Sequence, residues 1–255
     1  MPRNEVAVLI QDPKKLFHAL ELLKRLNLSF CVHGPENIDS IAARVLLSAE
    51  GERHLSHDQR LVLLDDSSAD RTAIQILLKL MDVADPKYWA IGVDPGMRFG
   101  LALATDGLVV LRRTASSPSE AVNFTAEWAR HVDGLFPGGH LVIRLGSGSR
   151  LYSVLYLRRL AEIGSELRIE LVDEHHTTIS GGSLSDESSA VMIAARRGRP
   201  IVESDMKLDV REGDVRSLKR LYHRLTRGKR RLSSQEAHAL IRGETTLADL
   251  LKMAE

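Results

Sequence analysis

Three carboxylate positions in the second half of the chain could do chemistry together. Asp94 ends the apolar run in IGVDPG, Asp173-Glu174 ends the run in RIELVDE, and Asp186 opens the helical pattern that follows. If these runs are neighbouring strands, their ends could converge. Converging carboxylates repel one another unless a cation is shared. Hard oxygen ligands suit Mg²⁺ or Mn²⁺. A pair of such ions can activate water and stabilise the leaving oxygen of a cleaved phosphodiester. Asp173 and Glu174 alternate along a strand, so one of them faces away from any shared site. Asp186, Ala190, Ile193 and Ala194 fall on one helical face, with Glu187 beside them as a possible substitute. Plainer roles exist for each acid. An aspartate before Pro95 can simply form a turn, and an acid at a helix start is favoured by the helix dipole.

A second constellation is basic. From Arg211 to Arg231 there are nine Lys or Arg and two acids, a local charge of +7. Arg216, Lys219, Arg220, Arg224 and Arg227 recur every three or four residues, broadly on one side of a helix. Lys229, Arg230 and Arg231 follow in a basic turn. A solvated helix face would interleave acids at i, i+4, and none occurs between Val215 and Leu232. Phosphate binding is the better reading, because each neutralised phosphate releases counterions. Tyr222 is the one aromatic there, so backbone and shape recognition is expected, not stacking on splayed bases. The turn Gly146 to Ser149, with Ser147 inside it and Arg150 behind it, could hold a phosphate at a helix start. A flexible loop with a serine cap is the alternative.

These residues need a scaffold. Residues 5–10, SFCVHG, RVLLSAE and RLVLLDD read as strands, with helices opened by Asp12-Pro13 and by Ser67 or Ser68. Asp85-Pro86 is a turn and linker signal. A small open-sheet α/β domain is therefore expected over residues 1–85. It lacks a GxGxxG or P-loop motif, so no nucleotide is assigned to it. It could dimerise the protein or dock a partner. Beyond it, YWAIGVDPG, RFGLALATDG and LVVLRRTA read as a three-stranded meander, with Asp106-Gly107 as a hairpin turn. Ser117-Pro118-Ser119-Glu120 opens a helix. HLVIRLG, a helix after GSGS, RIELVDE and the helix from Ser185-Asp186 follow, the last expected to run to Gly198. The order is β-β-β-α-β-α-β-α over residues 88–200, with a basic helical segment over 201–255.

Composition sets the limits. The 255 residues are 44% hydrophobic and 27% charged, which is globular composition. The net charge is only +1, so the basic segment is a local feature. One cysteine, Cys31, cannot form an internal disulfide. No stretch approaches the ~20 apolar residues that span a bilayer. A soluble, cytoplasmic protein without a membrane partner is expected.

The motif IGVDPGMRFGLAL resembles the first-strand motif of the RuvC/YqgF group of RNase H-like nucleases. VDEHHTT is similar to the YqgF motif Asp-Glu-Arg-x-Thr-Thr, and DESSAVMIAAR to that family's last helix. The three appear in the family's order. The resemblance implies an RNase H-like domain over about residues 89–200. It implies a metal-dependent endonuclease acting on branched DNA, as Holliday junction resolvases do, or on structured RNA. Carried over by position, Asp94, Glu174 and Asp186 would be the catalytic, metal-binding acids. The alternative is a nucleic-acid-binding scaffold that keeps the fold without the chemistry. It is motivated by His175 where the family has Arg, and by a fourth strand ending in LGSGS without an acid. A third idea, an actin-like ATP-binding protein, needs a second similar domain that the sequence does not show.

Overall fold

The computed structural model describes residues 5–34, 41–49, 58–164, 167–173 and 185–254. The chain divides into two compact units, Met1–Pro86 and Lys87–Glu255. Residues 201–255, expected as a segment of their own, belong to the second unit.

In the first unit the elements are β1 (Val6–Val8), α1 (Pro13–Arg25), β2 (Phe30–Val32), β3 (Val45–Ser48), β4 (Leu61–Leu63) and α2 (Ala69–Leu80). The four strands are all parallel, in the order β2-β1-β3-β4. Asp12 caps α1 by accepting from the Lys15 N–H, with Pro13 in the first turn, and Ser68 caps α2. Val6, Val8, Val45, Leu47 and Val62 pack with Ala19 and Leu23 of α1 and Ile76 of α2. The central strands β1 and β3 are buried throughout, which explains the near-continuous apolar runs in their sequences.

In the second unit β5 (Tyr88–Asp94), β6 (Phe99–Thr105), β7 (Leu108–Ala115), α3 (Pro118–Leu135), β8 (His140–Gly146), α4 (Arg150–Glu162), β9 (Arg168–Val172) and α5 (Asp186–Ala195) follow in that order. The sheet is mixed. Its order is β10-β9-β8-β5-β6-β7, where β10 is the two-residue strand Arg199–Pro200. β6 runs antiparallel to β5 and β7, while β5, β8 and β9 are parallel. Asp106 and Gly107 take φ 46° and 85°, the left-handed pair that a two-residue hairpin needs. α5 ends at Ala195, short of the expected Gly198. The chain then turns back to pair antiparallel with β9 at Arg199 and Pro200.

Alternation splits the sheet residues between two faces. Trp89, Phe99, Leu101, Leu103, Ile143 and Leu145 are buried, and α3 and α4 lie on their side, where Phe99 meets the rings of Tyr152 and Tyr156. Ala90, Ala102 and Val142 face α5, packing on Ala190 and Ala194.

The C-terminal residues form α6 (Glu212–Leu225), α7 (Ser234–Arg242) and α8 (Leu247–Lys252) after a 3-10 turn at Glu203–Met206. Leu218, Leu221, Ala237, Leu240, Ile241 and Leu250 are buried. The buried Tyr222 hydroxyl donates to the Leu250 carbonyl at 2.9 Å. Arg158 of α4 donates to the carbonyls of Met206, Leu240 and Ile241 at 3.2, 3.0 and 2.9 Å. Such contacts make this segment part of the second unit. Among the described residues no helix is long and apolar enough to cross a membrane.

Candidate active site and nucleic-acid interface

The carboxyl ends of β5, β8 and β9 lie at one end of the sheet. The chain leaves β5 toward β6 on one side, and leaves β8 through α4 toward β9 on the other. The switch point between β5 and β8 is where open α/β sheets form a ligand crevice. Asp94, half-buried, stands at that point.

α5 approaches this point unusually closely. Asp94 is registered opposite Gly100 of β6, and Gly100 opposite Thr114 of β7. A Cβ at Gly100 would lie 1.9 Å from the Asp186 carbonyl oxygen, and one at Gly92 would lie 2.1 Å from that of Ala190. Only glycine lets the helix backbone come so near. Residues paired across antiparallel strands share a face. Asp94 therefore projects on the α5 side, beneath the helix end that begins with Asp186. Glu187 accepts a hydrogen bond from the Thr114 hydroxyl at 3.3 Å. One row of the sheet thus gathers Asp94, Asp186 and Glu187 at the first turn of α5.

The other end of α5 is anchored by charges that the sequence reading missed. Arg144 donates to the Ala194 carbonyl. It also pairs with Glu170 at 3.4 Å, and Arg168 meets the same carboxylate at 2.8 Å. The Gly198 N–H reaches Glu170 as well, at 3.4 Å. A buried charge is stable only when paired and hydrogen-bonded, so this cluster fixes α5 against the sheet. The signal in the sequence was an Arg and a Glu at inward positions of otherwise apolar strands.

Glu174, His175 and His176 lie outside the described residues. Asp173 is exposed just beyond β9. Among the described residues no group of three or more His, Cys, Asp and Glu is placed to hold a metal ion. Two hard oxygen donors come to this end of the sheet: Asp94 closes β5, and Asp186 opens α5, whose backbone rests on the same row at Gly100. That donor chemistry fits a divalent cation.

The basic residues separate into two groups. Arg216, Arg220, Arg227, Lys229 and Arg231 are exposed. Lys219 donates to the Ser234 hydroxyl at 2.8 Å, and Arg220 to that of Ser217 at 3.3 Å. Three predicted phosphate ligands have internal work instead. Arg224 donates to the carbonyls of Met97, at 2.6 Å, and Ser116. Arg230 pairs with Glu236 and reaches the Tyr222 hydroxyl at 3.2 Å. Arg150 donates to the carbonyls of Ser204 and Lys207 at 3.2 and 3.1 Å. Periodicity revealed their charge but not the distant carbonyls that folding brings to them. The Ser147 N–H, expected to cradle a phosphate, donates to the Val172 carbonyl at 3.0 Å and continues the β8–β9 ladder.

Tyr152 was also missed. Its hydroxyl donates to the Met97 sulfur at 3.5 Å, in the loop after Asp94. Burial pushes its pKa up, against the pull of Arg220 and Arg224. Through the Arg224 contact with the Met97 carbonyl, α6 lies beside the Asp94 loop.

No family model matches the chain, and no curated protein matches it. Among solved structures, an Argonaute from Marinitoga piezophila, determined in complex with a 5' OH guide RNA, is similar at 10% identity over 66% of this chain, with a TM-score of 0.26. The match spans 39% of the Argonaute chain. At that TM-score the geometry of the site stands on its own, and what it describes is a mixed α/β unit with acids at the sheet's switch point and a basic helix beside them.

Proposed function

We propose that the second unit is an RNase H-like domain of RuvC/YqgF type, a Mg²⁺- or Mn²⁺-dependent endonuclease acting on branched DNA or structured RNA. The observation that carries this reading is the meeting of Asp94 and the first turn of α5 over Gly100. Two acids from distant parts of the chain are held at the switch point by backbone packing that tolerates no side chain. Strand order supports it too, with an antiparallel second strand between the first and third.

In this reading Asp94 and Asp186 hold the metal, with Glu174 as the third acid by its motif. The bound ions would supply water activation and stabilisation of the leaving oxygen. Arg216, Lys219, Arg220, Arg227, Lys229 and Arg231 bind phosphates and set the register of the substrate, without reading bases. The Asp94 loop is kept in place from α4 and α6.

The test uses the full chain with synthetic four-way junctions, duplexes and structured RNA in the presence of Mn²⁺. Metal-dependent cleavage is expected on a branched or structured substrate. Asp94→Asn should lower the rate at least ~100-fold, the upper loss seen for mere outer partners of metal sites. Cleavage that survives this substitution would remove Asp94 from the chemistry. Salt-sensitive binding without turnover would favour the non-catalytic scaffold.

A further inference from the structure

One side chain joins the basic helix to the acidic site. Arg224 lies on α6, 127 residues from Met97 and 108 from Ser116, and its Nη2 donates to both carbonyls. Met97 stands three residues past Asp94. Ser116 follows Ala115, which is registered opposite Phe99. The two carbonyls therefore belong to adjoining connections at the same end of the sheet: the β5–β6 loop and the β7–α3 junction. The Arg224 Nε is buried and has no partner among the described residues. The guanidinium is thus turned inward, while Arg216 and Arg220 on the same helix are exposed. Tyr152 bonds the Met97 sulfur from α4, while Arg224 reaches the Met97 carbonyl from α6. The loop is held from two sides.

We infer that Arg224 is a positioning residue, which fixes the loop carrying Asp94 and ties it to the phosphate-binding face of α6. This rests on the nuclease reading above and deepens it. A phosphate gripped by Arg216 or Arg220 then lies in a fixed frame with the acids, because one side chain spans both. Catalytic rates are sensitive to such placement: a displacement of about 1 Å can cost ~10²-fold. Arg224 acts through Asp94 and touches no phosphate.

The test separates this role from phosphate binding. Arg224→Met keeps the apolar stem and removes the donors. Its kcat should fall ~10–100-fold, with KM within about threefold of the parent. Arg216→Gln should instead raise KM and reduce the salt slope of binding by about 1. Arg224→Lys keeps the charge on a shorter reach and should recover part of the lost kcat. If Arg224→Met does not fold, Arg224→Lys carries the comparison, and an unchanged kcat in it overturns the inference. An Arg224→Met enzyme with parental kcat, or with the KM and salt response of Arg216→Gln, overturns it as well. If the parent cleaves nothing, the nuclease reading fails, and hydrogen exchange decides this one. Amides of residues 96–99 should then exchange at least ~10-fold faster in Arg224→Met, and unchanged exchange would discard the clamp.

Discussion

Gly100→Ala probes the contact on which the site is built. A Cβ there would sit 1.9 Å from the Asp186 carbonyl oxygen, whereas ordinary contact begins at 3.4 Å. The first turn of α5 must therefore retreat by about 1.5 Å, because the opposing atom is backbone and no rotamer can relieve it. Overpacking of this kind costs ~1–3 kcal/mol, and the backbone clash places this case near ~3 kcal/mol. With a urea slope of ~1–3 kcal/mol/M, the unfolding midpoint should drop by ~1–3 M. The retreat also displaces Asp186 relative to Asp94, so cleavage should fall by ~10²-fold or more. Gly213→Ala is the matched control. It lies in α6 with nothing within 4 Å of the added carbon. There alanine should stabilise the helix by ~0.5–1 kcal/mol. Urea denaturation and single-turnover cleavage on the same preparations give both readouts. A Gly100→Ala protein as stable and as active as the parent would mean that α5 does not rest on the Asp94 row, and the site would have to be redrawn.

Further outcomes follow from the two groups of basic side chains and from one acid. Arg220→Gln should weaken nucleic-acid binding across sequences and lower the salt slope by about 1, read by titrations over a range of KCl. Arg230→Gln should leave that slope alone and lower the melting temperature, since its partners are Glu236 and Tyr222. The Arg199 hydrogen bonds hold the Asp205 carboxyl down at about 2, below its ordinary value of 3.8. A depressed folded-state pKa contributes stability that is present above pH 4 and lost as pH falls toward 2. Asp205→Asn should flatten that part of the stability–pH curve, measured by denaturation between pH 2 and 5.

Much of the architecture could be read from the chain alone. Apolar runs with period-2 alternation, Asp106-Gly107 between two of them, and Ser or Asp caps before Pro13, Pro118 and Glu236 act within a few residues, so they mark strands, hairpin and helix starts locally. Asp94 and Asp186 could be singled out because acids at strand and helix ends break an apolar pattern. The two-residue strand at Arg199–Pro200 escaped notice, since it exists only by pairing with β9.

What the sequence alone determined was therefore the set of elements and the charges each one carries. Folding alone decided which charges face solvent and which face the protein. Arg216 and Arg224 stand on one helix with the same charge. One meets solvent, and the other meets two carbonyls more than a hundred residues away. Likewise Gly92 and Gly100 look like weak points of a strand until α5 is laid across them at van der Waals limits. The reason is physical: hydrogen-bond partners and close backbone contacts depend on distances between segments remote in sequence, and no local pattern encodes those distances.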